Sequence, residues 1–336
     1  MTAAVLIRLL ALVATVALGW AAGRAGLLGR QDQGAAATRA LSAAAFYIFV
    51  PALLLRTMVR LDFDALPWHM LAAYFVPASL FVLLVHGVYR LRAARAALGA
   101  GGGAAAAAPA PPAAPATRAI CACFGNGVQV GIPVVAALWG EPGLALLVAL
   151  ISLHGLVLLS MLTVLVEMDL ARARRSTSTL ATLRVTLRNA FWHPLTLPVL
   201  LGLAWNRTGL GLHPVLDQTL AGLGQAVVPL CLVLMGLTLA QYGLRGRWRP
   251  ALAGAVLKLL VLPALVLLVA HGLFGLSGLP LAVVVVMAAL PTGTNALIFA
   301  QRYDTLQAEA TAAVVVSTLA FAATASIWLA VLHALS

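Results

Sequence analysis

Apolar runs of roughly twenty residues follow one another along almost the whole chain, a length that matches the hydrocarbon thickness of a bilayer. Of the 336 residues, 63% are hydrophobic and only 9% are charged. A soluble domain carries about 25% charged residues, so these runs cannot be wrapped in a water-facing surface. The chain reads as an integral membrane protein. Inside hydrocarbon every backbone N–H and C=O needs a partner within the protein, which leaves helices and closed barrels. Barrel strands alternate polar and apolar residues. These runs do not, so the fold class is all-α. The same composition excludes a soluble enzyme, a nucleic-acid binder and a disulfide scaffold. Cys121, Cys123 and Cys231 lie inside apolar runs and read as small packing residues, with no metal-ligand or disulfide spacing.

Reading the runs against flanking charges and turn residues predicts ten transmembrane helices. They lie near 4–22, 38–58, 67–90, 117–138, 143–166, 189–206, 215–241, 250–273, 279–301 and 308–334. The N-terminal run, with Arg8 ahead of an apolar stretch, has the look of a signal peptide; with nine runs behind it, it reads as the first span. Trp20, Trp68, Trp139, Trp192, Trp205 and Trp248 fall at span ends, where an amphipathic ring suits the headgroup level. The net charge of +12 is a topology signal. The connections on one side of the membrane carry 16 basic residues, the other side carries 4, and Lys258 sits within a span. The basic side is the cytoplasmic one. The expectation is a multi-pass protein of the inner (cytoplasmic) membrane with both termini non-cytoplasmic.

The two halves resemble each other in order. Val50-Pro51 in span 2 matches Val228-Pro229 in span 7, and Val76-Pro77-Ala78 in span 3 matches Leu262-Pro263-Ala264 in span 8. Span 4 contains Asn126 and span 9 contains Asn295, each beside glycine and proline. With an odd number of spans per half, the second half enters the membrane upside down. The predicted organisation is a five-helix repeat over 1–167, a cytoplasmic central loop over 168–188 and a second, inverted five-helix repeat over 189–336. A Gly/Ala/Pro run over 92–116 reads as an inert tether. Inverted repeats with interrupted helices at corresponding positions mark secondary transporters.

The interruptions carry the chemistry. Span 4 reads CACFGNGVQVGIPVVAALWGEPG over 121–143, and span 9 reads AALPTGTNALIFAQRYD over 288–304. Glycines and Pro133 weaken the first helix; Pro291 and Gly293 break the second. Asn126, Gly127 and Gln129 sit at one break, Thr292, Thr294 and Asn295 at the other. If the breaks meet, they bring half-helix N-termini, which favour anions, and amide and hydroxyl side chains to one point. Asn126, Gly127, Gln129, Pro133, Pro291, Thr292, Thr294 and Asn295 are therefore the predicted substrate-binding residues.

These residues also carry a resemblance. GNGVQVGIPVVAALWGEPG resembles the fourth-helix motif of the auxin efflux carrier family, where an Asn is followed seven residues later by Pro, here Asn126 and Pro133. AALPTGTNALIFAQRYD is similar to that family's ninth helix and VPLCLVLMGLTLA (228–240) to its seventh. The resemblance implies a scaffold of helices 1, 2, 6 and 7, with helices 3–5 and 8–10 forming a mobile, elevator-type transport domain in which broken helices 4 and 9 cross. A homodimer through the scaffold would suit it. Plant members often have a proline where Ala296 stands, so the second break here relies on Pro291 and Gly293. The central loop is also much shorter than in the long plant members.

The predicted function is secondary transport of a small organic anion, a carboxylate or auxin-like acid. No acid lies mid-span, which argues against a cationic substrate and against a carboxylate proton relay. His154, with Ser152 near it, is the candidate coupling group, because His alone of the mid-membrane residues titrates near neutral pH. Lys258 either snorkels or neutralises a substrate carboxylate. His86 and His271 read as interfacial. A bile-acid-type sodium symporter and a passive channel of the same fold remain open. No enzyme chemistry, metal or cofactor is predicted.

Overall fold

The computed structural model describes residues 3–29, 32–60, 68–99, 111–173, 196–242 and 248–335. Among them the chain is helical, with one isolated β-bridge and no strand. In order the helices are α1 (Ala3–Arg24), α2 (32–59), α3 (Trp68–Gly99), α4 (Ala114–Cys123) and α5 (Gly127–Ala173). There follow α6 (Thr196–Asn206), α7 (Pro214–Tyr242), α8 (248–273), α9 (Gly278–Ala289), α10 (Asn295–Arg302) and α11 (Gln307–Leu335). Six of them, α2, α3, α5, α7, α8 and α11, are long and apolar enough to cross a membrane. The predicted central loop and tether are helical where they are described: 168–173 continue α5, 92–99 continue α3, and 114–116 begin α4 as buried residues. Residues 174–188, His193-Pro194 with Trp192, and 100–110 lie outside the described residues.

At 47 residues α5 is far too long for one crossing, and it is a hairpin of two arms. The turn is at Gly140, whose φ of 62° and ψ of −149° suit glycine, with Pro142 starting the second arm. The arms run antiparallel. A Cβ built on Gly127 would lie 2.9 Å from Cγ1 of Ile151, one on Gly131 3.5 Å from Cδ2 of Leu147, and one on Gly143 3.2 Å from Cγ1 of Val135. The reversal falls in the gap expected between runs 117–138 and 143–166. Three prolines, Pro51, Pro133 and Pro263, each stand just after a π-helical turn (Ala45–Phe49, Gly127–Gly131 and Leu257–Val261). A wider turn ahead of a proline accommodates its missing N–H and its ring.

Helices α1, α2, α6 and α7 pack on one another, and α3, α4, α8, α9 and α11 do likewise, while α5 touches members of both sets. The first set is held by close backbone approach: a Cβ on Gly236 of α7 would lie 2.1 Å from the carbonyl oxygen of Val16, and one on Gly19 of α1 would lie 2.3 Å from that of Val233. Small residues at a helix interface allow this in a membrane, where packing drives association. Asn206 of α6 donates to the carbonyl of Val59 at 2.6 Å, and Arg56 and Arg60 of α2 both reach Asp217 of α7. In the second set Arg118 of α4 pairs with Glu309 of α11 at 2.8 Å. His86, expected at a membrane interface, turns its ring into the protein: it is 5% exposed, and its Nε2 lies 2.7 Å from Oδ2 of Asp169. A carboxylate on the neighbouring arm of α5 gives the imidazole a partner inside the protein. His271 is exposed and bonds the Leu276 carbonyl.

The Gly236 contact gives a direct test. Gly236→Val must push α1 from α7, an overpacking cost of about 1–3 kcal/mol. The expected result is a lower unfolding midpoint for the detergent-solubilised protein, with Gly222→Val, at a site with nothing within 4 Å of the added Cβ, close to wild type.

Candidate functional site

The two interruptions meet. Helix α4 ends at Cys123, and Phe124 turns extended with φ −85° and ψ 108°. Helix α9 ends at Ala289, and Leu290 turns away with φ −57° and ψ 149°. Between these ends and the starts of α5 and α10, the two backbones run antiparallel for a few residues, with Gly125 bridged to Thr292. The N–H of Asn126 donates to the carbonyl of Pro291 at 2.8 Å, and the N–H of Gly293 donates to that of Phe124 at 2.9 Å. Each break thus satisfies groups freed by the other. Glycine is required for the approach: a Cβ on Gly293 would stand 3.1 Å from the Gly125 carbonyl oxygen.

The polar side chains divide by task. Asn126 caps the turn that starts α5, its Oδ1 accepting from the N–H of Gln129 at 3.2 Å while its Nδ2 donates to Oε1 of Gln129 at 3.1 Å. One amide proton of Asn126 is left over. Thr292 is fully buried and structural: its hydroxyl donates to the Cys121 carbonyl at 2.7 Å, and its N–H donates to Oγ of Ser317 at 3.0 Å. Gly127, Pro133 and Pro291 are buried packing and backbone positions. Thr294 and Asn295 are half-buried, and Asn295 makes no side-chain hydrogen bond among the described residues.

Asn126, Gly127, Thr294, Asn295 and His154 line one cleft of about 30 Å³. Its far wall is the second arm of α5. His154 is 3% exposed, its Nδ1 lies 3.2 Å from the hydroxyl of Tyr74 and its ring is 4.3 Å from that of Phe124. Its Nε2 is buried without a hydrogen-bond partner. Buried polar atoms are nearly always paired, which sets this one apart. Ser152 is not brought to the cleft; its hydroxyl donates to the Val148 carbonyl at 2.6 Å and faces Met58 of α2.

Sequence reasoning left Lys258 with two readings and missed a second feature altogether. Lys258 does not snorkel: it is fully buried, and its ammonium donates to the carbonyl of Ala288, at the end of α9 where helix carbonyls lose their partners. Its Nζ would lie 3.4 Å from a Cβ on Gly125, so it sits directly under the crossing. Among the described residues no carboxylate pairs with it. The second feature is a larger cavity, about 350 Å³, on another side of Thr294. It lies between α2, α7, α5, α10 and α11, with Arg39, Ser42, Gln129, Gln241, Thr294 and Thr311 in its wall. No motif announces it, because its residues come from five helices.

Lys258→Met removes the cost of burying an ammonium but leaves the Ala288 carbonyl unpaired, about 1–3 kcal/mol. The two effects oppose, so the overall unfolding midpoint is expected to move little. The crossing itself should loosen, with the Asn126 and Gly293 amides losing protection from hydrogen exchange by about tenfold, the equivalent of about 1.4 kcal/mol of local opening.

A family model described as "Membrane transport protein" matches residues 4–329. No curated protein matches the chain. A match over nearly the full length, on a multi-pass helical protein with two interrupted helices paired at their breaks, settles the class: the chain belongs to the auxin efflux carrier type of membrane transport family.

Proposed function

We propose that the protein is a secondary transporter of a small organic anion, working by an elevator-type movement in which the crossing carries the substrate. The observation that carries this reading is the cleft at the crossing, where the spare proton of Asn126, the amide of Asn295, the hydroxyl of Thr294 and the unpartnered Nε2 of His154 converge. All can donate to a carboxylate, and no acid lines the cleft. Half-helix N-termini at Gly127 and Asn295 add partial positive charge. The amino group of Lys258, donating to the Ala288 carbonyl, stands beneath the same point.

In this reading ten crossings form two inverted five-helix repeats. The α5 hairpin counts twice, and α4 with the first arm of α5, and α9 with α10, count as one broken crossing each. The set α1, α2, α6 and α7 is the scaffold, and the remaining helices move against it. The uneven distribution of basic residues supports an orientation with both termini outside the cytoplasm, in the inner membrane.

Asn126→Ser keeps a capping oxygen and loses the amide, while Asn295→Ala has no cap to lose. Each should remove one hydrogen bond to a charged group, about 1.5–3 kcal/mol, or roughly tenfold to 150-fold in half-saturation for uptake into proteoliposomes. Malonate and indole-3-acetate are suitable probes. Unchanged half-saturation in both variants, in monodisperse protein, would sink the crossing site. His154→Gln tests coupling separately, because Gln keeps an N–H donor for the substrate but cannot titrate: substrate binding should persist, and accumulation driven by a pH gradient should vanish. Gradient-driven uptake at wild-type level would return His154 to a packing role.

A further inference from the structure

Arg39 differs from the described arginines that are tied to carboxylates. Arg56 and Arg60 share Asp217, Arg90 and Arg172 lie beside Asp169, and Arg118 holds Glu309. Arg39 has no ion pair among the described residues, and it lines the cavity of about 350 Å³ whose other side is formed by Gln129 and Thr294. A cavity of that size holds a small organic molecule. Arg39 is the one charged side chain in its described wall; the rest of the polar lining is hydroxyl and amide. A basic residue needed only for topology has no reason to face a polar cavity. Arg39 is exposed; its guanidinium raises the positive potential along this wall, and its fork of donors matches a carboxylate bidentately.

We propose that this cavity is a loading subsite in which Arg39 receives the carboxylate of the substrate before it reaches the crossing. Ser42, one turn along α2, and Thr294 supply hydroxyls to the same space. Thr294 also lines the small cleft, so the two spaces share a wall and the anion has a short path from one to the other. A neighbouring cavity of about 370 Å³ holds Arg24 and shares Thr38 and Gln241 with the first, which extends the cationic path outward. Gln241 donates to the Thr38 hydroxyl and to the Gly34 carbonyl, forming the partition between the two. The subsite recognises one carboxylate on a small, otherwise polar or uncharged body. Its direction, from the cytoplasm inward, rests on the transport reading above; the charge recognition does not.

The test uses the full-length protein with Ser42→Cys as a reporter, because Cys121, Cys123 and Cys231 are buried. The thiol is reacted with 2-sulfonatoethyl methanethiosulfonate and with its trimethylammonium analogue, each rate normalised to a free thiol. With Arg39 present the anionic reagent should be favoured. Adding Arg39→Gln should lower the anion-to-cation rate ratio by about tenfold, the effect of one unit charge at close range in a partly screened cavity. Arg39→Lys should keep most of the ratio. Excess malonate should slow the reaction when Arg39 is present and fail to do so in Arg39→Gln. A ratio indifferent to Arg39→Gln, or malonate protection that survives it, overturns the subsite. Asn126→Ser should leave the ratio intact. If it does while uptake is unaffected by Asn126→Ser and Asn295→Ala, the crossing site falls and the Arg39 subsite stands; the opposite pattern removes the subsite alone.

Discussion

Two stretches of backbone lose their helical partners in a region where water cannot replace them, and everything about the site depends on how those groups are satisfied. An unpaired amide in hydrocarbon costs several kcal/mol, so a lone break of this kind would not persist. Here the breaks satisfy each other through the Asn126–Pro291 and Gly293–Phe124 hydrogen bonds. Side chains take the remaining groups: Thr292 caps the Cys121 carbonyl, Ser317 accepts the Thr292 N–H, and Lys258 donates to the Ala288 carbonyl. Four helices, α4, α8, α9 and α11, are tied to one point this way. A deformation there would expose several polar groups at once, which makes the crossing a rigid unit.

Much of this was legible in the residues. Gly-Asn-Gly ahead of Pro133 and Pro291-Thr-Gly are local interruptions, and local chemistry is what a sequence displays most directly. The hairpin at Gly140 was equally plain from Gly-Glu-Pro between apolar runs. What could not be read was the division of labour among the polar residues. Thr292 and Thr294 look alike in sequence, yet one is buried in structural bonds and the other faces two cavities. Ser317 carries no signal of its own in an apolar helix, since its partner lies 25 residues away. Pairings of that range depend on how helices pack, which periodicity does not encode.

The basic residues show the same point. By count, they record topology; by position, they do three different things. Arg56, Arg60 and Arg118 tie helices through carboxylates. Lys258 holds a carbonyl at a helix end. Arg39 faces open space. Charge bookkeeping along the sequence treats all of these as equivalent, and only burial and partners separate them.

The contrast in cavity size bears on mechanism. The cleft at the crossing, about 30 Å³, has room for a water or two and not for an organic acid, whereas the cavity beside Arg39 is about ten times larger. A substrate bound at the crossing therefore needs the surrounding helices to shift. The crossing cannot open by itself without breaking the bonds that satisfy its backbone. The boundary between the crossing and the α1, α2, α6 and α7 set runs where α5 meets α1, α2 and α7. That set is held together by the glycine contacts of α1 with α7 and by the Asp217 ion pairs, independently of the crossing. The two sets are thus tied internally by different contacts, and it is the cavity of about 350 Å³ that lies along the surface between them, with α2 and α7 on one side and α5, α10 and α11 on the other.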